Sequence, residues 1–397
     1  MRCARIIPAF SYTARMNFSA FPPSLKSAAT LILMAPVLTL AQNQPPFRST
    51  QVNADHSVTF RYRDAAATRV ELALEGLPRP IPMTKDATGT WSVTTAPLAP
   101  EIYGYHFEAD GQQRLDPANT RTTTNLVDLE NLITVPGDKP QPWEPTNIPH
   151  GTVHHHTYTT ATVLNLPDNQ SDFYVYTPPG YSSSAKQPYP VLYLLHGWSD
   201  DASGWTVVGQ AHFIFDSLIA EGRIKPMVVV MPLGYGNMTF GRSFDGWQSP
   251  AAIEQNTNLF TQALLTELIP QVEATYNVSH KREDRAIAGL SMGGLESLTI
   301  GLTHPDEFAW VGGFSSAVQG LDAAQQLASL NPKTADLRLL WIACGSDEPL
   351  LKPNREFIVW LKTKGMSVTS FEAPGLHTWM VWRNDLIHFA PLLFQPK

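Results

Sequence analysis

Ser291 lies in the stretch Gly289-Leu290-Ser291-Met292-Gly293, an apolar run that ends in a small hydroxyl and passes directly into a helical pattern. A hydroxyl on a sharp strand-to-helix turn is pushed out at the top of a sheet, and glycines two residues to either side are needed where side chains would strike the neighbouring strand and helix. Ser291 is therefore the candidate nucleophile, in preference to a serine that merely caps a helix. A serine hydroxyl at its ordinary pKa attacks poorly, so it needs a base within hydrogen-bond reach, itself oriented by an acid. With the chain order serine, acid, histidine, His377 and His388 lie late enough and after a strand. His377 falls in the loop of APGLHTW, whereas His388 falls inside a helical stretch, so His377 is the expected base. The acid is expected after the strand RLLWIACG, where Asp347 and Glu348 follow in succession. Consecutive residues leaving a strand point in different directions, so one of them can meet His377, and spacing alone leaves the two open.

A tetrahedral intermediate also needs two backbone N–H donors aimed at its developing oxyanion. One is expected from Met292, directly after the nucleophile, and the other from Trp198, in the turn after VLYLLHG. His196, at the end of that strand, is read as a support for the turn through a hydrogen bond. Aromatic residues crowd the expected mouth: Trp198 and Trp205 near the turn, Phe240, Phe244 and Trp247 in GNMTFGRSFDGWQ, and Trp379 beyond the base, with Trp382 equally a core candidate. Flat apolar side chains suit a phenolic acyl group or a sugar face, so Trp198, Trp205, Phe240, Trp247 and Trp379 are the candidate substrate-binding residues. The run His154-His155-His156 alternates faces if it is a strand and cannot converge on one ion. Neither a metal nor another cofactor is expected.

These residues require elements that bring them together. From about residue 151 to the end, short apolar runs alternate with helical stretches: VLYLLHG, MVVVMP, RAIAGL, RLLWIACG and SVTSFEA read as strands. Between them HFIFDSLIAEG, NLFTQALLTELIPQVEATY, GGLESLTIGLTH and NREFIVWLKTKG read as helices, and WMVWRNDLIHFAPLLF as a last one. This is an α/β fold with a mostly parallel sheet covered on both faces, whose ligands sit at the carboxyl ends of the strands. Residues 46–136 differ. Val58, Phe60 and Tyr62, then Val70, Leu72 and Leu74, then Tyr103, Tyr105 and Phe107 alternate with their neighbours, which predicts an all-β, immunoglobulin-like sandwich. The Pro-rich residues 137–150 form the expected linker to the α/β domain at 151–397.

The 397 residues carry a formal net charge of -7, with 16% charged and 43% hydrophobic residues. No run of Lys and Arg could neutralise successive phosphates, so nucleic acid is not an expected partner. Arg2, Arg5, Arg15 and Lys26 precede the apolar run Ala28–Ala41, with Thr39 and Ala41 at the minus-three and minus-one positions. Residues 1–41 thus read as a signal peptide, with an uncleaved anchor as the alternative, and predict a secreted or periplasmic protein free of the membrane after cleavage. The two cysteines are Cys3 and Cys344, and loss of the first with the leader leaves no internal disulfide.

Together IPHGTVHHHTY, FYVYTPPGY, YPVLYLLHGWSDDASGW, KPMVVVMPLGYGN, AIAGLSMGGLESL, LLWIACGSDEPLL and LHTWMVWRNDL resemble an esterase branch of the α/β-hydrolases. That branch includes carbohydrate esterase family 1, with its feruloyl and acetylxylan esterases, and is related to the enterochelin esterases. The resemblance implies an α/β-hydrolase fold, a nucleophile at Ser291 and a base at His377. The family's acid is usually an Asp in a G-x-x-D pattern, and counting from Gly345 that position holds Glu348, so position favours Glu348 and residue type Asp347. The segment YGYHFEADGQQRLDPANT resembles early-set immunoglobulin-like domains found before such esterases and before glycogen-branching enzymes. The implied function is a secreted serine carboxylesterase acting on an esterified plant polysaccharide or oligosaccharide and releasing ferulate or acetate. A siderophore esterase is an alternative that cations at the mouth would favour, with Arg242 and Arg383 as candidates. A non-catalytic carbohydrate-binding or acyl-transfer surface protein is another.

Overall fold

Alternation of buried and exposed side chains builds the first layers of the computed structural model, which describes residues 47–396; the leader read at residues 1–41 lies outside the described residues. The strands are β1 (Thr50–Val52), β2 (Val58–Arg63), β3 (Val70–Leu74), β4 (Ile81–Pro82), β5 (Thr84–Lys85), β6 (Thr90–Thr94), β7 (Glu101–Ala109), β8 (Gln112–Arg114) and β9 (Asn131–Val135). They form two antiparallel sheets, β1-β2-β6-β5 and β4-β3-β7-β8, with β9 also on β7. The inward residues of both sheets share one core: Phe60 of β2 meets Tyr105 of β7 edge-on at 4.9 Å, and Leu72, Trp91 and Phe107 close around them.

No helix or strand runs between β9 and residue 151. The segment is nevertheless packed down: Trp143 is buried under the Arg383 guanidinium, and the Pro142 carbonyl accepts from Ser217 Oγ at 3.1 Å.

Eight strands follow: β10 (Thr152–Thr159), β11 (Gln170–Thr177), β12 (Val191–Leu195), β13 (Val228–Pro232), β14 (Arg285–Leu290), β15 (Trp310–Phe314), β16 (Leu339–Gly345) and β17 (Thr369–Ala373). Their order is β10-β11-β13-β12-β14-β15-β16-β17. The pairs β10-β11 and β11-β13 are antiparallel, and every pair from β13 onward is parallel. β12 is buried along its whole length, with Leu192 and Leu194 in one core and Val191, Tyr193 and Leu195 in another, which is the mark of a sheet covered on both faces.

The helices are α1 (Gly204–Val207), α2 (Ala211–Ala220), α3 (Pro250–Ala263), α4 (Ile269–Thr275), α5 (Ser291–Thr303), α6 (Ala323–Gln326), α7 (Pro332–Ala335), α8 (Leu351–Thr363) and α9 (Trp379–Phe389). α2 and α9 cover the first face, and α3, α4, α5 and α8 the second.

Several elements depart from the sequence reading, among them β10 and β11, which are not among the strands read beyond the linker. β15 is absent from that reading; its five residues carry a Gly312-Gly313 pair inside a short apolar run. In place, a Cβ on Gly312 would come within 2.7 Å of the Phe389 ring and one on Gly313 within 2.8 Å of Leu298 Cδ1, so a strand pressed by helices on both sides requires glycine. The long helix expected from Asn258 begins earlier, at Pro250, where Ser249 Oγ accepts from the Ala252 amide at 3.3 Å. A π turn at Leu264–Leu268 separates α3 from α4, just before Pro270, whose missing N–H breaks the regular ladder.

The sandwich is docked on the α/β layers through Arg383 of α9, which is fully buried. Its Nε donates to Glu101 Oε1 at 3.0 Å, and its two terminal nitrogens donate to the Ile102 and Val208 carbonyls at 2.8 Å each.

Candidate active site

β14 delivers Ser291 at its carboxyl end, in the left-handed region at φ 52°. Such a conformation costs a non-glycine residue about 1–3 kcal/mol and persists where its surroundings over-determine it. Close packing supplies that constraint. A Cβ on Gly289 would lie 2.5 Å from the Gly293 carbonyl oxygen, and one on Gly293 would lie 2.7 Å from Leu195 Cβ of β12. Ser291 Oγ donates to His377 Nε2 at 2.9 Å, across the gap to the loop after β17. The other ring nitrogen, Nδ1, donates to Glu348 Oε2 at 2.5 Å, which fixes the tautomer that leaves Nε2 as the acceptor. Trp382 of α9 stands edge-on to the imidazole at 5.0 Å.

Of the two carboxylates after β16, Glu348 is the one that turns inward. It is 5% exposed, and its second oxygen, Oε1, accepts from Ser315 Oγ at 2.5 Å, the Gly345 amide at 2.7 Å and Cys344 Sγ at 3.0 Å. Burial by itself raises a carboxyl; the hydrogen bonds from His377, Cys344 and Ser315 outweigh it and hold Glu348 below the ordinary value, so the acid is ionised and oriented. Asp347 points out to solvent, where its Oδ2 accepts from the Gly375 amide at 2.9 Å. It shapes the loop that carries His377 but does not meet the imidazole. Ser315, itself at φ 45° directly after β15, and Cys344 were not singled out from sequence as site residues. Their one available signal is position, at or beyond the carboxyl ends of adjacent parallel strands.

Met292, the expected oxyanion donor, directly follows the nucleophile in the first turn of α5. The turn bearing Trp198 passes directly over Ser291: a Cβ on Gly197 would lie 3.4 Å from Ser291 Cβ. Several groups hold this turn. Buried His196 donates from Nδ1 to the Gly197 carbonyl at 2.7 Å and accepts at Nε2 from the Gly234 amide at 2.9 Å, and burial keeps its pKa low and the ring neutral. Trp198 Nε1 donates to the Phe240 carbonyl at 2.7 Å, and Tyr235 Oη to the Asp200 carbonyl at 2.9 Å.

Above these groups opens a cleft of about 980 Å³. Trp198, Phe244, Trp247, Trp379 and Trp382 form its aromatic walls. Two of the aromatic residues expected there are elsewhere. Trp205 is fully buried, its Nε1 donating to the Leu195 carbonyl and its ring edge-on to Trp379 and Phe314, so it is core beneath the mouth. Phe240 is also buried, packed under Trp247 at 5.2 Å, and supports the wall without lining it. The sandwich supplies Glu75, Thr123, Asn125, Asp128 and Glu130 to the opposite wall. With Asp200 and Asp322 that makes five carboxylates, and among the described residues lining the cleft there is no Lys or Arg. Burial pushes Glu75 up to about 7. Arg383 is locked into the sandwich contact, and Arg242 is exposed outside the cleft, so neither offers a cation to a ligand. His155 stacks on Tyr174 at 4.3 Å, while His156 turns to Tyr276, so the histidine run is split between two faces.

A mostly parallel eight-stranded sheet carrying a serine–histidine–glutamate chain at its strand ends defines an α/β-hydrolase. The chain belongs to the family described as "Putative esterase", whose pattern matches residues 165–393. It is 31% identical over 363 residues to an endo-1,4-beta-xylanase/feruloyl esterase of Xylanibacter ruminicola, covering 89% of this chain and 47% of that one, so it spans about half of that relative's length. The fold is shared with a carbohydrate esterase family 1 ferulic acid esterase of Anaeromyces mucronatus, with a TM-score of 0.56 and 24% identity over 64% of this chain and 96% of that one. It is also shared with the enterobactin esterase of Shigella flexneri, with a TM-score of 0.63 and 19% identity over 86% and 93%.

Proposed function

We propose that this protein is an exported serine esterase that releases a phenolic acyl group, ferulate, from an esterified plant cell-wall polysaccharide. One observation carries the reading: the hydrogen-bonded chain from Ser291 through His377 to Glu348 opens into a cleft with aromatic walls on one side and carboxylates on the other. The aromatic rings suit the flat acyl group. The acidic side chains of the far wall and the Thr123 hydroxyl suit the hydroxyls of an uncharged sugar. The cleft's volume is near the upper end of the roughly 300–1,000 Å³ usual for ligand pockets and exceeds what acetate alone needs.

In the reaction Ser291 Oγ bonds to the ester carbonyl carbon while its proton passes to His377 Nε2. The oxyanion is met by the Met292 and Trp198 amides, and the sugar oxygen leaves with the proton from His377. Water then repeats the sequence on the acyl-serine, giving free acid and regenerated Ser291. Likeness of fold to the enterobactin esterase supports a second reading, a catecholate trilactone as substrate. Such a ligand is anionic, and a cleft wall of carboxylates without a lining Lys or Arg disfavours it.

Hydrolysis of methyl ferulate, acetylated xylan and enterobactin by wild type and by Ser291→Ala tests the proposal. Preference for ferulate with near-complete loss in the variant supports it. Preference for enterobactin, or a rate that survives Ser291→Ala, overturns it. Export is tested separately by sequencing the N-terminus of protein recovered outside the cytoplasm, which should begin at Gln42.

A further inference from the structure

We infer that the β-sandwich is a working part of the catalytic apparatus: its loop from Thr122 to Asn131 clamps the oxyanion turn, with Asn125 as the positioning residue. The inference rests on the esterase reading above.

The loop is closed at its base by the Thr122–Asn131 bridge and by the Thr123 amide donating to the Glu130 carbonyl at 2.8 Å. Its tip is shaped by Asn125, whose Oδ1 accepts from the Val127 and Asp128 amides at 3.0 and 2.8 Å. That leaves the Asn125 amide free to reach out of the sandwich. Nδ2 donates to Ser199 Oγ at 2.7 Å and to Asp200 Oδ1 at 3.3 Å, and the next residue, Leu126, donates its backbone N–H to the Ser199 carbonyl at 2.6 Å. Both acceptors of Ser199 are therefore taken by the other domain.

Ser199 directly follows the oxyanion donor Trp198 and is 5% exposed. It sits at φ 66°, a left-handed conformation that a serine holds only under outside constraint. The α/β domain anchors the neighbouring residues through His196, Phe240 and Tyr235. The side chain and carbonyl of Ser199 itself are held from the sandwich. An oxyanion hole works only if its donors are pre-set on the developing charge, so a clamp that fixes the residue after Trp198 acts on the transition state without touching substrate.

The test uses the full chain in two variants. Asn125→Asp keeps the Oδ1 that shapes the loop and removes the donating amide. Ser199→Gly accepts φ 66° without strain and removes the hydroxyl. Removing an oxyanion donor outright costs about 10²–10³ in kcat; loosening one is expected to cost roughly tenfold in each variant, with KM changing less than about twofold. The double variant should lose no more than Asn125→Asp alone, since the contact to the Ser199 hydroxyl is common to both. Amide exchange over residues 198–203, followed by mass spectrometry, should rise in Asn125→Asp while exchange over β14 stays unchanged. An Asn125→Asp enzyme with unchanged kcat and unchanged exchange, or one that loses only KM, overturns the clamp. The exchange arm does not depend on any substrate, and loss of the esterase reading is seen separately as a rate that survives Ser291→Ala.

Discussion

Ser315 Oγ donates to Glu348 Oε1 at 2.5 Å, on the opposite side of the carboxylate from the oxygen that receives His377. The acid of the site is thus held by a hydroxyl from the neighbouring strand end, together with the thiol of Cys344 and the amide of Gly345. Ser315→Ala removes one of the groups that keep this carboxyl low. A carboxylate held below its unfolded value of about 4.3 stabilises the fold above that value and loses the contribution as pH falls through the folded value. The variant should therefore begin to lose stability and kcat/KM at a higher pH than wild type, with about 1–2 kcal/mol less stability near neutrality. Melting curves and pH–rate profiles check this; an acid limb that does not move would contradict the assigned role of Ser315.

Glu348→Gln and Asp347→Asn separate the two adjacent carboxylates. The first leaves His377 with the wrong tautomer preference and is expected to lower kcat by about 10³–10⁴. The second leaves an acceptor for the Gly375 amide, removes only an exposed charge and should change kcat less than about threefold. Steady-state kinetics on one small ester decide, and equal losses would break the assignment.

Asp200 is 5% exposed at the cleft floor, and burial pushes its carboxyl up to about 7 against the pull of the Asn125 amide. The unfolded chain releases this proton near pH 4, so the folded state holds more protons between about 4 and 7, and stability falls as pH rises through that window. Asp200→Asn removes this dependence. Its stability relative to wild type should climb between pH 4 and 8, by at most about 4 kcal/mol. Urea unfolding at several pH values measures the difference, and parallel curves would count against the buried charge.

Arg383 joins α9 to the sandwich from a fully buried position. Arg383→Ala strands the Glu101 carboxylate without its cation and should cost about 3–5 kcal/mol. Chemical denaturation reads this out, and a midpoint equal to wild type would show that the two layers are joined by other contacts.

Phe244 is 62% exposed at the rim and edge-on to Trp198 at 5.5 Å. Phe244→Ala should leave stability within about 0.5 kcal/mol and raise KM for methyl ferulate by about threefold to tenfold, in line with 0.5–1.5 kcal/mol for an aromatic contact. KM for a small acetyl ester should stay the same. Equal effects on both esters would remove Phe244 from acyl recognition.

What the sequence determined by itself was local or ordinal. The Ser291 turn is written in five consecutive residues, because a strand, a helix and two close approaches meet there. His377 follows from chain order and from lying in a loop after a strand. The α/β layering follows from apolar runs long enough to be buried on both faces; β15, whose glycines are demanded by Phe389 and Leu298, and the antiparallel strands β10 and β11 at one edge escape that pattern. Tertiary structure decided the rest. Which of Asp347 and Glu348 turns inward depends on how the loop after β16 folds against Gly375, where a Cβ on Gly345 would strike the Gly375 carbonyl. Trp205 and Trp379 look alike along the chain, yet one is sealed beneath the other. The far wall of the cleft and the hold on Ser199 come from residues in another domain, 74 positions away in the case of Asn125. No periodicity within either segment encodes that contact; it exists because buried Arg383 and the packed segment around Trp143 bring the sandwich loop down over the strand ends.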